Sequence, residues 1–180
     1  MRVLLISANT EKINMSTLPL GLACVAAATQ KAGYDVAMVD LMVEKDTRTV
    51  LKEAIEGFRP EIIGISVRNI DDQNMENPRF LLDPVKEIVA DCRSLSEATI
   101  VLGGAGYSIF PERALSFLGA DMGIQGEGEV AFPDLIERME YDTSLSGLSG
   151  LYLPGHGLQC KRMFAKNLEK GENIPKFVTK

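Results

Sequence analysis

Five short apolar runs rich in Val, Ile and Leu recur along the chain, at Arg2–Ser7, Asp35–Asp40, Ile62–Val67, Thr99–Leu102 and Asp121–Gln125. Between them, apolar residues fall at helical spacing. Leu82, Val85, Ile88, Val89 and Cys92 are the clearest stripe, one face of a helix predicted over Arg79–Arg93. Further helices are predicted at Leu18–Lys31, Thr47–Phe58, Pro111–Leu118 and Val130–Met139. Gly33 stops the first, Pro60 lies just beyond the second, and Pro111 opens the short fourth. Strands apolar on both faces, alternating with helices, specify βαβ units and a parallel sheet covered on both sides.

After residue 139 the pattern changes. Leu148–Leu153 and Leu158–Met163 read as two strands joined by Pro154-Gly155-His156-Gly157, a tetrapeptide suited to a hairpin turn. Lys166–Lys180 is polar, contains Pro175 and reads as a linker. The expected organisation is an α/β domain over residues 1–140, with a hairpin and linker over 141–180.

Composition narrows the class. The chain has 180 residues, 46% hydrophobic and 24% charged, which suits one soluble domain with a sizeable core. Its longest apolar stretch, Leu18–Ala28, is broken by Pro19 and Gly21 and falls short of the ~20 residues needed to span a bilayer. No membrane partner is expected. The first residues run straight into a strand with no leader pattern, so a cytoplasmic location is expected. A net charge of −6 disfavours nucleic acid as a partner. Cys24, Cys92 and Cys160 are scattered without metal-ligand spacing, and the first two sit in apolar helical patterns as small hydrophobes.

Ligands of open parallel sheets gather at the carboxyl ends of the strands. Four loops lie there: Ser7–Thr17, Ser66–Asn69, Gly103–Ser108 and Gly126–Glu129. Gly103-Gly104-Ala105-Gly106 and Gly126-Glu127-Gly128-Glu129 each precede a helix, so main-chain N–H groups can face an anion or a planar ring. Tight strand-to-helix turns alone would also account for either glycine run. Both at one sheet edge favour a ligand.

Several familiar chemistries lack their residues. The loop after the first strand has no Gly-x-Gly-x-x-Gly, so a dinucleotide reading loses its main support, and the lack of a Gly-x-x-x-x-Gly-Lys-Ser/Thr run argues against a P-loop. Asp40 reads as a strand-terminating polar residue rather than a ribose ligand, and the sole histidine, His156, as a solvated turn residue. Glu127 and Glu129 are acidic residues favoured at a helix start. Asp71 and Asp72 follow the third strand without the acidic pair after the first strand that a phosphoryl-accepting site requires.

Taken together, Leu18-Pro19-Leu20-Gly21-Leu22, Ile63-Gly64-Ile65-Ser66, Val101-Leu102-Gly103-Gly104, Gly126-Glu127-Gly128-Glu129 and Ser149-Gly150-Leu151-Tyr152 resemble the N-terminal cobalamin-binding domain of cobalamin-dependent radical S-adenosylmethionine proteins. The resemblance implies a flavodoxin-like, Rossmann-like five-stranded sheet of order 2-1-3-4-5. It implies cobalamin across the strand ends with its nucleotide tail tucked into the domain. By similarity, the bordering residues are Ser66, Val67, Arg68, Gly103, Gly104, Gly106, Tyr107, Gly126, Glu127, Gly128 and Glu129.

Two departures stand out. The first loop lacks the Asp-x-His-x-x-Gly that supplies an axial histidine in methionine-synthase-like domains, and no Cys-x-x-x-Cys-x-x-Cys is present. The resemblance therefore places S-adenosylmethionine and the [4Fe-4S] cluster in a C-terminal radical barrel outside this chain, which would be this domain's partner within a parent enzyme, possibly a methyltransferase. Two other readings remain open: a cofactor-free flavodoxin-like domain that positions a partner or substrate, and a self-contained enzyme acting on a nucleotide or sugar.

Overall fold

The computed structural model describes residues 1–10, 18–44, 46–72, 76–77 and 79–161. Five strands, β1 (Arg2–Ser7), β2 (Asp35–Asp40), β3 (Ile62–Ser66), β4 (Thr99–Gly103) and β5 (Met122–Ile124), pair in parallel in the order β2-β1-β3-β4-β5. Two more, β6 (Leu151–Leu153) and β7 (Gly157–Leu158), continue the same sheet antiparallel beyond β5. The crossovers are α1 (Leu20–Lys31), α2 (Thr47–Phe58), α3 (Leu82–Leu95), α4 (Pro111–Leu118) and α5 (Gly128–Glu140).

Alternation along the strands divides the core in two. Leu4, Ile6, Ile63, Ile65, Ile100 and Leu102 face α2, α3 and α4, whose Leu51, Ile55, Val85, Ile88 and Leu115 complete that layer. Val3, Leu5, Ile62, Val101 and Ile124 face α1 and α5 and pack against Leu22, Phe132, Leu135 and Ile136. Burial of these side chains at ~25 cal/mol per Å² of apolar surface is the main term favouring the fold. Parallel register sets Leu5, Gly64 and Val101 side by side on the α1/α5 face, and one pleat further along it sets Ser7, Ser66 and Gly103 in a row.

Element boundaries differ from the sequence pattern where a local bond competes. α1 begins at Leu20, with Pro19 as its N-cap. α3 begins at Leu82 because the three residues before it turn back: Leu81 N donates to Ile70 O at 2.8 Å, and the Arg79 guanidinium meets the Asp72 carboxylate at 3.0 Å. The hairpin is shorter than its apolar pattern, since Gly147 and Gly150 both take positive φ before β6 begins. The expected end of its second strand, at Met163, and the linker over 166–180 lie outside the described residues. Asp40 accepts from Met42 N at 3.3 Å, capping a 3-10 turn over Leu41–Val43. His156 is exposed in the β6–β7 turn.

Candidate functional site

A cleft of ≈ 700 Å³ opens at the carboxyl ends of β1, β3, β4 and β5 and runs inward on the α1/α5 face of the sheet. Its position follows from topology. The chain leaves β1 to one side for β2 and later returns to the other side for β3, so the first crossovers diverge and leave a crevice at that reversal. The cleft is large enough for a drug-sized or nucleotide-sized group.

Its rim is small and polar. Ser7, Ser66 and Gly103 form the row at the strand ends, joined by Asn9, Arg68, Gly104, Ala105 and Ser108. No hydrogen bond involves the side-chain hydroxyls of Ser7 or Ser66 among the described residues, although Ser7 is only 6% exposed, so both remain available to a ligand. Gly126, Glu127, Gly128 and Glu129 close the rim at the start of α5, with both glutamates exposed. Leu18, Pro19, Leu20 and Gly21 form the opposite lip at the start of α1, and Leu18 is 84% exposed.

Below the rim the walls become apolar. Leu5, Leu22, Val25, Val101, Ile124 and Phe132 enclose a chamber between the sheet and the two helices. Cys24 lies in the same helix as Val25, and its thiol pKa is raised by desolvation first and then by the charge of Glu129. It therefore stays a neutral thiol beside the cleft at neutral pH.

Two glycine loops are tied together by one hydroxyl. Ser108 Oγ donates to Gly104 O at 2.8 Å and accepts from Gly126 N at 3.0 Å, while Gln125 Nε2 donates to Ser108 O at 3.0 Å. Gly104 holds φ +97°, and a Cβ there would lie 2.5 Å from Val67 O and 2.9 Å from Ser66 Oγ. The β4 loop is thus pressed onto the end of β3 as only glycine permits.

Among the residues that the sequence pointed to, Ser66, Arg68, Gly103, Gly104, Gly126, Glu127, Gly128 and Glu129 converge on this cleft. Val67, Gly106 and Tyr107 do not line it. Val67 and Tyr107 are buried in the layer beneath the opposite sheet face, because side chains alternate along β3 and the β4 loop turns Tyr107 under β5. A Cβ on Gly123 would strike the Tyr107 ring and hydroxyl. That hydroxyl has no hydrogen-bond partner among the described residues, and burial raises its pKa. Gly106 packs on the Arg68–Asn69 backbone, where a Cβ would fall 2.9 Å from Arg68 C and O.

The sequence reading did not single out Phe132, Val25 or Ser7 as site residues. Ser7 was within a candidate loop, but Phe132 and Val25 have the spacing of ordinary core residues. Their position at a cavity rather than in solid core is visible only once α1 and α5 are placed.

A doubly wound sheet with a glycine-rimmed, apolar-floored crevice at its switch point defines an α/β ligand-binding domain. A family model, "B12 binding domain", matches residues 6–136, and the chain belongs to that family. Tryptophan 2-C-methyltransferase of Streptomyces laurentii is 26% identical over 148 residues, 82% of this chain and 24% of that protein. Cytidylyl-2-hydroxyethylphosphonate methyltransferase of Streptomyces wedmorensis is 28% identical over 156 residues, 75% of this chain and 27% of that one. The chain thus spans about a quarter of the length of these curated relatives.

Among solved structures, the radical S-adenosylmethionine methyltransferase TsrM of Kitasatospora setae, with cobalamin and a [4Fe-4S] cluster bound, superposes with TM-score 0.83 at 25% identity. The match covers 94% of this chain and 30% of that one. The cobalamin-dependent radical enzyme OxsB superposes with TM-score 0.71 at 20% identity, a likeness of fold. Among the described residues no helix is long and apolar enough to cross a membrane.

Proposed function

We propose that the chain holds cobalamin at the carboxyl edge of its sheet and serves as the corrinoid-carrying part of a radical S-adenosylmethionine methyltransferase, with a radical barrel as its partner in the parent protein. The observation that carries this reading is the cleft itself. Its residues suit the two unlike halves of such a ligand: hydroxyls, main-chain amides and Arg68 at the rim for amide and phosphate groups, and an apolar chamber beneath for an aromatic base. The rim also leaves room. Among the described residues, a Cβ on Gly103 would meet nothing nearer than Ile124 O at 3.9 Å, and one on Gly21 would meet nothing within 4 Å.

Each part of the chain has a distinct task in this reading. Ser7 and Ser66 offer hydroxyls to the tail, and Arg68 offers a cation that pairs with anionic groups. Gly103, Gly104, Gly126 and Gly128 allow main chain to approach the ligand closely, and the Ser108 bonds keep their two loops in fixed relation. Leu22, Val25, Ile124 and Phe132 exclude water from the base. When bound, cobalamin supplies the methyl-carrying or redox chemistry, and the protein supplies placement and electrostatics.

The test is retention of hydroxocobalamin. The purified chain at micromolar concentration is mixed with the cofactor, desalted and scanned for corrin absorbance in the visible. Retained absorbance, lost in Ser66→Ala combined with Arg68→Ala, is the expected result. A wild-type chain that emerges colourless overturns the proposal.

A further inference from the structure

The chamber ends at a contact that ordinary strand chemistry does not require. Gly64 occupies the middle of β3 between Leu5 and Val101 on the cleft side. Its φ lies outside the left-handed region, so no backbone constraint calls for glycine, and glycine inside a strand is unfavourable in itself. The explanation is steric. A Cβ at Gly64 would lie 2.6 Å from Leu5 Cδ2 and 3.1 Å from Phe132 Cζ. The tip of the Phe132 ring therefore rests on bare β3 backbone.

Phe132 borders the cleft and is 4% exposed. Its helix is anchored to the sheet by Ala131, Leu135 and Ile136, all buried in the same layer. The helix therefore fixes the ring from one side and Gly64 admits it from the other. Any side chain at position 64 must drive the ring or Leu5 toward the open volume of the chamber, because the remaining directions are filled by packed core.

We propose that Gly64 and Phe132 set the depth of the chamber and so select the size of the nucleotide base that a corrinoid brings into it. The inference rests on the corrinoid reading above. It makes the pair specificity-determining: Phe132 is the floor, and Gly64 is the reason the floor lies as low as it does. A floor of this kind discriminates among bases that differ by a ring or a methyl group while leaving the corrin-facing rim unchanged.

The experiment compares three corrinoids on the 180-residue chain by visible-absorbance titration: cobalamin, cobinamide, which lacks the nucleotide tail, and a cobamide carrying the larger naphthimidazole base. The wild type is expected to bind cobalamin at least tenfold more tightly than cobinamide. Gly64→Ala is expected to lose about tenfold in cobalamin affinity with cobinamide affinity held within about twofold, the scale of one methyl group in an apolar pocket. Phe132→Leu is expected to shift preference toward the larger base by a similar factor.

Equal weakening of cobalamin and cobinamide in a folded Gly64→Ala protein overturns the proposal, as does no weakening at all. If Gly64→Ala does not fold, Phe132→Leu decides: unchanged base preference overturns the proposal and a shifted preference supports it. A wild type that binds cobinamide as well as cobalamin removes the base chamber and leaves the corrinoid reading standing. A wild type that binds neither removes both.

Discussion

Tyr107 shows how a single residue separates packing from ligand contact. It lies in a glycine-containing loop that helps form the cleft, yet its ring is buried under β5 on the other face of the sheet, with a hydroxyl that has no partner among the described residues. An unsatisfied buried hydroxyl is destabilising, so Tyr107→Phe is expected to raise stability by about 1 kcal/mol in urea denaturation while leaving corrinoid affinity unchanged. A loss of affinity in that variant would move the residue back to the site. The same distinction limits what the sequence reveals. The rim glycines are legible because two glycine runs open helices at one sheet edge, and Gly103, Gly104, Gly126 and Gly128 do meet at the cleft. The floor is not legible, because Phe132 and Val25 have the helical spacing of any buried residue. Nor does β-alternation disclose which sheet face carries the ligand until the crossover sides are fixed. Val67 and Tyr107, which the family resemblance implies as bordering residues, belong to the other face.

At the scale of elements, local competition explains the departures from pattern. α2 runs over Thr47–Phe58 as its periodicity requires, with Asp46 accepting from Thr49 N at 3.2 Å and from Thr49 Oγ1 at 2.7 Å; those bonds lower its carboxyl pKa. α3 loses its predicted first turn to the Asp72–Arg79 pair, which links residues seven apart and leaves no signal in hydrophobic periodicity. The hairpin depends on one close approach. Gly150 holds φ +72°, donates its N–H to Cys160 O at 2.9 Å and accepts from Gln125 N at 2.8 Å, and a Cβ there would strike Gln125 O. Gly150→Ala is expected to cost roughly 1–3 kcal/mol in chemical denaturation and to speed amide exchange in β6 and β7 more than in β1 or β3. Uniform exchange across the sheet would show that the hairpin is no separate unit of stability.

For the molecule as a whole, burial couples stability to alkaline pH. Cys92, on the buried face of α3, is 0% exposed, and desolvation, with a further push from Asp91, raises its thiol from 9.0 to about 12. A folded-state pKa above the unfolded value gives stability that is complete below pH 9 and is lost as the pH rises toward 12, because the unfolded thiol ionises first. The expected loss approaches, at most, about 1.4 kcal/mol per pH unit for this one group, and Cys92→Ala is expected to flatten that slope while lowering stability at neutral pH. Urea midpoints collected between pH 8 and 10.5 check both effects; identical slopes in the two proteins would assign the alkaline limit elsewhere.

The antiparallel turn-back at β6 sets the direction in which the polypeptide departs. β6 opposes β5 and β7 opposes β6, so β7 points the same way as β5, and Cys160 arrives within hydrogen-bonding distance of Gly150, next to Gln125 and the mouth of the cleft. The last described residues, 159–161, therefore lie at the carboxyl edge of the sheet, beside the cleft, rather than at its opposite edge.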